Sequence, residues 1–413
     1  MSLAELDRLL GSFAQRGVDL GLDRSLTVLD RLGNPQNQIP IVHIAGTNGK
    51  GSTCAFVDSA LRANGYRVGR YTSPHLISWC ERLQLNGQPV SSDRLLQAVQ
   101  TVLTTADGID LTPFELLTAA VWLVLADSNL DIAVIEVGLG GRLDATNVVA
   151  KPLVTAITSI GHDHQAVLGS TLGAIAAEKA GILKANRPVV LGVLPPEAET
   201  VIRAQADRRQ APITAIEPAT VIEAGLWQSQ GLTYQSGLIG DVQRINSAIA
   251  IAVLRQLQQQ GWTLRDEAIV QGLANTSWPG RLQWLDYQGR RLLIDGAHNL
   301  EAAIALRQAV DQLFPDQSVN WLLGMLRAKD AQAVLATLIR SGDRCITIPV
   351  PEHDCWSPED LQAWARKLGA MTATAADWAE GLAIAQSYPQ AIVFCGSLYL
   401  LGDFLQNLQA TGY

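Results

Sequence analysis

The sequence predicts an α/β protein with two domains, each built on a mostly parallel sheet covered by helices. Short runs of apolar and β-branched residues alternate with helical stretches along most of the chain, as in strand–helix–strand units. The length of 413 residues exceeds that of a typical single domain, so two or three domains are expected. The segment 275–280 breaks both periodicities with Asn, Ser, Pro and Gly, and we interpret it as the linker between the domains.

The elements follow in order along the chain. In the first half, predicted strands begin at residues 39, 66, 131, 152 and 187, with helices over 50–64, 113–128, 170–183, 243–260 and 264–275. The segment 211–240 is mixed, with Thr233 and Tyr234 in a candidate strand. In the second half, predicted strands cover 291–297, 319–326, 344–350 and 391–396, and helices cover 299–313, 330–340, 357–368 and 397–409.

Composition favours an enzyme-like globule over a disordered or nucleic-acid-binding chain. Hydrophobic residues make up 48% of the sequence, charged residues only 17%, and the formal net charge is −8. The five cysteines are scattered without a CxxC pair, so we expect reduced thiols. The first 17 residues predict an amphipathic helix rather than a secretory signal, and no apolar run is long enough to cross a bilayer. We therefore expect a cytoplasmic protein.

A glycine-rich loop between the first strand and the next helix is the strongest functional signal. The loop consists of Gly46, Thr47, Asn48, Gly49, Lys50, Gly51 and Ser52. Its backbone N–H groups and the helix N-terminus behind them can hold phosphate oxygens, while Lys50 reaches the outer phosphates. The literal Walker pattern is not met, because it requires Gly at Ile44 and a hydroxyl residue at Gly51. The loop predicts a nucleotide site, and an ordinary glycine-rich turn is the alternative.

Polar residues at the ends of three other strands indicate a metal-linked role. Glu136 ends an otherwise apolar strand, where a carboxylate is costly to bury unless a cation meets it. Hard cations such as Mg²⁺ prefer oxygen ligands. Ser73 and His164 also follow predicted strands, and the carboxyl ends of parallel strands share one sheet edge. The alternatives are a water-facing Glu on an edge strand, a capping Ser and a structural His.

Lys179 lies on the apolar stripe of a predicted helix. Leu172, Ile175 and Ile182 are spaced so that they share one helical face with this lysine. A buried amine has a lowered pKa and can react with CO₂ to form a carbamate. The pattern alone slightly favours the alternative, in which the ammonium group reaches the surface.

Nine motifs occur in order along nearly the whole chain. They are HIAGTNGKGS (43–52), YTSPHL (71–76), TPFELLT (112–118), IEVGLGGRLDATN (135–147), TSIGHDH (158–164), AAEKAGI (176–182), WPGR (278–281), DGAHN (295–299) and GSLYLLGDF (396–404). Together they resemble the Mur ligase superfamily, and within it the bacterial folylpolyglutamate synthases that are often bifunctional with dihydrofolate synthase.

This resemblance implies an ATP-dependent amide ligase. Its fold would be a P-loop NTPase-like domain over 1–276 and a smaller, Rossmann-like domain over 281–413 that closes over the nucleotide. The implied cofactors are ATP and two Mg²⁺ ions, and the implied substrates are dihydropteroate or reduced folate and L-glutamate. We expect a monomer, with neither nucleic acid nor membrane as a partner.

The resemblance also assigns roles to individual residues. It implies catalytic roles for Lys50, Lys179 and His164, and metal ligation by Ser73, Glu136, His164 and a carbamylated Lys179. ATP contacts map onto the 46–52 loop, Asn246, Arg281 and Asp295. The pterin-bearing substrate would lie against Thr112, Pro113, Phe114, Glu115, Leu143, Asp144 and Ala145. The family's usual His-Gln before the interdomain Asn is Val242-Gln243 here, so no role is transferred to that His.

Residue by residue, simpler interpretations stay open. Asp295 could cap the helix that follows it, Asn246 could be an ordinary helix residue, and Arg281 could be a surface arginine. For the chain as a whole, the alternatives are a cell-wall amino-acid ligase of the same superfamily, a P-loop ATPase switch and a non-catalytic nucleotide-binding protein. YTSPHL and TPFELLT favour the folate branch. The sequence does not decide between the dihydropteroate step, glutamate extension and both.

Overall fold

The computed structural model describes residues 2–13 and 19–410 and divides into two compact α/β units. The first unit comprises Met1–Gly237 and Gln243–Ser277, and the second comprises Leu238–Val242 and Trp278–Tyr413. The predicted fold class, a mixed α/β chain with a mostly parallel sheet in each half, is confirmed.

The first unit is built on an eight-stranded sheet. Its strands are β1 (Ile41–Ala45), β2 (Val68–Tyr71), β3 (Leu83–Leu85), β4 (Gln88–Pro89), β5 (Ile132–Glu136), β6 (Val154–Ile157), β7 (Val189–Leu191) and β8 (Ile213–Ala215). Their spatial order is β4-β3-β2-β5-β1-β6-β7-β8. The last six strands in this order run parallel to one another. Only the short β3 and β4 are antiparallel. All five strands predicted for this half are confirmed, whereas β3, β4 and β8 were not predicted as strands.

Within residues 2–13 and 19–410, ten α-helices accompany this sheet. They are α1 (Ser2–Phe13), α2 (Asp23–Arg31), α3 (Lys50–Ala63), α4 (Ser92–Thr105), α5 (Pro113–Ala126), α6 (Gln165–Leu168), α7 (Leu172–Lys179), α8 (Pro196–Arg208), α9 (Val242–Gln259) and α10 (Asp266–Ala274). The amphipathic helix predicted at the N-terminus is confirmed over Ser2–Phe13, and the other residues of that prediction lie outside the described ranges.

Central strands are buried on both faces, which explains their almost uninterrupted apolar sequences. Every residue of β1 and of β5 is buried. Because β5 lies between β2 and β1, Glu136 ends an interior strand. The alternative of a water-facing Glu on an edge strand is therefore wrong.

The mixed segment 211–240 contains β8 and a separate three-stranded antiparallel sheet. The strands of that sheet are β9 (Thr220–Glu223), β10 (Leu226–Ser229) and β11 (Leu232–Gln235). Thr233 and Tyr234 lie in β11, as predicted. The buried Tyr234 hydroxyl bonds the Ser247 hydroxyl on α9 at 2.6 Å, which ties the small sheet to the helix.

In the second unit, the residues that the structure describes form a six-stranded sheet flanked by five α-helices. Its strands are β12 (Gln283–Tyr287), β13 (Arg290–Asp295), β14 (Asn320–Leu323), β15 (Arg344–Thr347), β16 (Met371–Thr374) and β17 (Ile392–Cys395). Its helices are α11 (Leu300–Leu313), α12 (Ala331–Leu338), α13 (Pro358–Lys367), α14 (Trp378–Gln386) and α15 (Leu398–Ala410). The order is β12-β13-β17-β14-β15-β16, with only β12 antiparallel. The sequence missed β12, β16 and α14; both strands lie at sheet edges, where burial imposes a weaker apolar pattern.

All five cysteines are free, as expected. Across residues 2–13 and 19–410, no helix combines the length and apolar character needed to cross a membrane.

Candidate active site

The glycine-rich loop is held in place by the segment that follows β6. The backbone N–H of Thr47 donates to the Ser159 carbonyl at 2.8 Å, and that of Asn48 donates to the Ser159 hydroxyl at 2.9 Å. The Thr158 hydroxyl donates to the Asn48 carbonyl at 2.6 Å. Helix α3 then begins at Lys50, so its first free N–H groups lie at the end of this fixed loop.

Asn246 on α9 packs directly against the loop. It is 3% exposed, and its side-chain N–H donates to Gln243 Oε1 at 2.9 Å. Gly49 has a left-handed φ of 83°, and a side chain there would overlap Asn246 Oδ1. The structure therefore brings two residues of the predicted ATP site together, while a contact of Asn246 with ATP stays a prediction.

Lys50, Glu136 and Ser73 form one cluster at the carboxyl end of the parallel sheet. Lys50 Nζ lies 3.9 Å from Glu136 Oε1 and donates to the Thr47 carbonyl at 3.1 Å. Glu136 Oε2 accepts the backbone N–H of Ser73 at 3.3 Å. Glu136 is only 5% exposed, so its charge faces this cluster and not bulk water.

Lys179, at the end of α7, is buried next to the same loop. It is 5% exposed, and its Nζ donates to the Gly46 carbonyl at 2.8 Å. Burial lowers the pKa of the Lys179 amine to about 7, and repulsion by the Lys50 ammonium contributes to the shift. The expectation that this ammonium reaches the surface is wrong, because the side chain ends at the Gly46 carbonyl inside the fold.

His164 lies in the loop after β6, which is tied to the phosphate loop by the Gly161 N–H donating to Thr47 Oγ1 at 3.0 Å. Its backbone is left-handed, its side chain is 50% exposed, and Nε2 lies 3.8 Å from Asp163 Oδ1. Within the part of the chain that the structure describes, no three His, Cys, Asp or Glu residues form a metal-binding group.

The first predicted substrate-binding segment begins α5. Thr112 and Glu115 form a reciprocal capping box, in which Glu115 Oε2 accepts the Thr112 N–H at 2.7 Å. The Arg24 Nε–H lies 3.1 Å from both carboxylate oxygens of Glu115. The charged group of Glu115 is therefore occupied in holding this segment.

Gly138, at the start of the loop that carries the second predicted substrate-binding segment (143–145), lies against Phe114 of the first segment. A side chain at Gly138 would overlap the Phe114 ring, whose other neighbour is Tyr71 at a centroid distance of 6.2 Å. Asp144 is 2% exposed, and its Oδ2 accepts the Leu139 N–H at 2.8 Å. Burial raises the pKa of the Asp144 carboxyl, and hydrogen bonds from Leu139, Thr146 and Gly138 oppose this shift.

In the second unit, Asp295 and Arg281 belong to one cluster at the end of β13. Asp295 accepts the N–H groups of Leu282 and Ala297, each at 2.8 Å. Burial raises the pKa of Asp295, and the positive charge of Arg281 opposes this. The cap of α11 is Asn299, whose side chain accepts the Ala302 N–H at 3.0 Å. The interpretation of Asp295 as the helix cap is therefore wrong.

Sequence reasoning missed the residues that hold these loops, above all Ser159, Thr158 and Arg24. Two signals for them were present. The hydroxyl residues Thr158 and Ser159 open the TSIGHDH motif (158–164), and Arg24 ends the segment LGLDR (20–24).

A parallel sheet with this loop, a buried carboxylate and a buried lysine defines a nucleotide-binding α/β protein, and comparison with known proteins narrows the class. The family model of the Mur ligase middle domain matches residues 44–254, and that of the dihydrofolate synthetase C-terminal domain matches residues 282–407. The dihydrofolate synthase/folylpolyglutamate synthase of Bacillus subtilis is 39% identical over 342 residues, which cover 78% of this chain and 79% of that protein.

Solved structures agree with this assignment. Escherichia coli FolC in complex with DHPP and ADP superimposes with a TM-score of 0.89 at 29% identity, covering 100% of this chain and 98% of the other. A bifunctional folylpolyglutamate synthase/dihydrofolate synthase with Mn, AMPPNP and L-glutamate bound gives a TM-score of 0.86 at 32% identity, covering 98% of both chains. The chain thus belongs to the dihydrofolate and folylpolyglutamate synthases, which are ATP-dependent ligases of the Mur ligase family. The predicted family and enzyme class are confirmed.

Proposed function

We propose that this chain uses ATP to join the α-amine of L-glutamate to a carboxyl group of dihydropteroate, of reduced folate or of both. The observation that carries the proposal is the cluster of Lys50, Glu136 and Ser73 at the phosphate loop, beside the buried amine of Lys179. The relatives support it through their names and bound molecules, which include ADP, DHPP and L-glutamate.

The chemistry has two steps. A carboxylate oxygen of the acceptor attacks the γ-phosphorus of ATP, so that ADP leaves and an acyl phosphate forms. The glutamate amine then attacks the acyl carbon, the C–O bond to phosphate breaks, and the amine loses a proton as the amide forms. Lys50 and the loop N–H groups offset the charge that moves onto the phosphate oxygens, and the site holds the reactants in line.

Glu136 and Ser73 would hold a Mg²⁺ ion, and His164 with a carbamylated Lys179 would hold a second. The buried carboxylate of Glu136 fits such a hard cation, because its oxygens face Lys50 and the Ser73 backbone and not water. When bound, the metal supplies positive charge for the phosphates. Lys179 suits carbamylation because its lowered pKa leaves much of the amine neutral near pH 7. The amine adds to CO₂, and one proton is released.

The two halves of the chain have separate roles in this proposal. Residues 1–276 form the ATP-binding ligase domain, which includes the loop residues 46–52 and Asn246. Residues 281–413 form the C-terminal domain and contribute Arg281 and Asp295 to nucleotide binding. The acceptor lies against 112–115 and 143–145, and a single chain is the active unit.

The test is ADP release with dihydropteroate or tetrahydrofolate as acceptor, each with and without L-glutamate. A ligase forms ADP in step with a glutamate-containing product, and only when acceptor and L-glutamate are both present. A P-loop ATPase switch would release ADP without glutamate, and that result would reject the proposal. The acceptor that supports turnover identifies the step or steps that this chain performs.

A further inference from the structure

Three buried side chains form a hydrogen-bonded chain from β1 to the loop after β5. His43 Nε2 lies 2.9 Å from Thr146 Oγ1, and the Thr146 hydroxyl in turn contacts Asp144 Oδ1. His43, Thr146 and Asp144 are 1%, 0% and 2% exposed. Water therefore does not compete for the His43–Thr146 and Thr146–Asp144 hydrogen bonds.

The donor and the acceptor of each hydrogen bond between these three side chains follow from their chemistry. Backbone N–H groups donate to both carboxylate oxygens of Asp144, which stabilises its ionised form against the burial that raises its pKa. An ionised carboxylate only accepts hydrogen bonds, so the single hydroxyl hydrogen of Thr146 points to Asp144. The remaining Thr146 lone pairs accept, which assigns the ring proton of His43 to Nε2. Burial lowers the pKa of His43 to about 3, so the ring is neutral and carries one N–H at physiological pH.

Asp144 uses the same carboxylate to close its own loop. Its Oδ1 also accepts the Thr146 N–H at 3.0 Å, and its Oδ2 accepts the Leu139 N–H at 2.8 Å. The carboxylate thus links the first part of the loop to its last part. His43 connects this closed loop to β1, the strand that leads into the phosphate loop.

We propose that His43 and Thr146 are positioning residues for the acceptor substrate. Acting through Asp144, they fix the shape of the loop 138–147 and its distance from β1. The proposal rests on the proposed function, in which residues 143–145 contact the acceptor and the phosphate loop holds ATP. Neither residue touches a reacting atom, so their loss changes acceptor binding and leaves ATP binding intact.

The activity test compares Thr146→Val, which removes the hydroxyl at nearly constant shape, with Thr146→Ser, which keeps it. Loss of a buried hydrogen bond to a charged group predicts a KM for the acceptor raised by about tenfold or more in Thr146→Val, with recovery in Thr146→Ser. The KM for ATP stays at the wild-type value. Thr347→Val is the matched control, because Thr347 is equally buried but bonds the Pro358 carbonyl in the second unit.

His43, at the other end of this series of hydrogen bonds, is tested in the same way. His43→Gln keeps an N–H donor at a similar reach, whereas His43→Leu removes it. We expect the larger rise in acceptor KM for His43→Leu. Equal rises in the KM values of acceptor and ATP in Thr146→Val and His43→Leu would indicate general loosening of the fold and would overturn the proposal, as would an unchanged acceptor KM.

Hydrogen exchange at the Leu139 amide gives a readout that needs no activity. This N–H is held by Asp144 Oδ2, so Thr146→Val should speed its exchange by about tenfold, while Thr347→Val and Thr146→Ser leave it at the wild-type rate. Unchanged exchange in Thr146→Val would overturn the proposal. If the wild-type protein showed no acceptor-dependent ADP release, the proposed function would be rejected. The exchange rate of the Leu139 amide would still decide whether His43, Thr146 and Asp144 hold the loop.

Discussion

Lys179 Nζ donates a hydrogen bond to the carbonyl oxygen of Gly46 at 2.8 Å, so a buried amine from α7 contacts the first residue of the phosphate loop. The α7 segment and the loop are thereby joined through one ionisable group. Because burial disfavours the charged form of this amine, its protonation state is coupled both to folding and to its reactivity.

The first prediction concerns this coupling. Burial lowers the pKa of Lys179 from 10.5 to about 7, so the folded chain binds fewer protons than the unfolded chain between these pH values. The free energy of unfolding of the wild type minus that of Lys179→Met should rise with pH between about 7 and 10.5, by up to about 1.4 kcal/mol per pH unit. Below about pH 7 this difference should not change with pH. Urea unfolding in CO₂-free buffer measures this. The exposed Lys151→Met is the control, and a difference between wild type and Lys179→Met that does not vary with pH would contradict the pKa shift.

Lys50→Ala should reduce ADP formation by on the order of 10² to 10³, because it removes a positive charge aimed at the phosphates. Steady-state kinetics with saturating acceptor and L-glutamate measure the effect. Lys151→Ala serves as the control, since this lysine is exposed and distant in sequence from the loop. Near-normal turnover in Lys50→Ala would rule out the assigned phosphate loop.

Gly49→Ala should abolish tight nucleotide binding, since the new methyl group would overlap Asn246 Oδ1 as well as strain the backbone. Gly225→Ala is a matched control. Gly225 has a φ of 79° but no atom within 4 Å of the new methyl, so only the backbone strain of about 1 to 2 kcal/mol applies. Calorimetric titration with ADP compares the two variants. Equal ADP affinities would show that the contact with Asn246 does not shape the loop.

Glu136→Gln should raise the Mg²⁺ concentration needed for half-maximal activity by on the order of 10-fold to 100-fold, because the charge that would hold the ion is lost. Turnover measured over a Mg²⁺ series gives this value. Glu223→Gln changes an exposed carboxylate on β9 and should leave the series as in the wild type. If Glu136→Gln kept the wild-type Mg²⁺ dependence, Glu136 would not be a metal ligand.

The features that could be predicted from the sequence are those that a short segment determines by itself. A strand, a glycine-rich turn and a helix start are adjacent in the chain, so the phosphate loop was predicted with its residues. The apolar neighbours of Glu136 in 134–137 favour a buried position, and the place of β5 between β2 and β1 removes the edge-strand alternative.

The features that could not be predicted depend on contacts between distant segments. The helical stripe of Lys179 is compatible with a surface-reaching or a buried ammonium, and the position of the Gly46 carbonyl decides between them. Likewise, the capping box at Thr112 is visible in the sequence, but the Arg24 side chain that binds Glu115 comes from a segment 91 residues away. Long-range pairings of this kind leave no periodicity to detect.

The most direct test of the central claim follows oxygen from the acceptor carboxylate. When the acceptor carries ¹⁸O in that group, activation by ATP and displacement by the glutamate amine must leave one ¹⁸O atom in the phosphate released. Mass spectrometry of the phosphate should therefore show one ¹⁸O per molecule for each amide formed. Phosphate free of ¹⁸O, released while the amide accumulates, would contradict an acyl phosphate formed at this site.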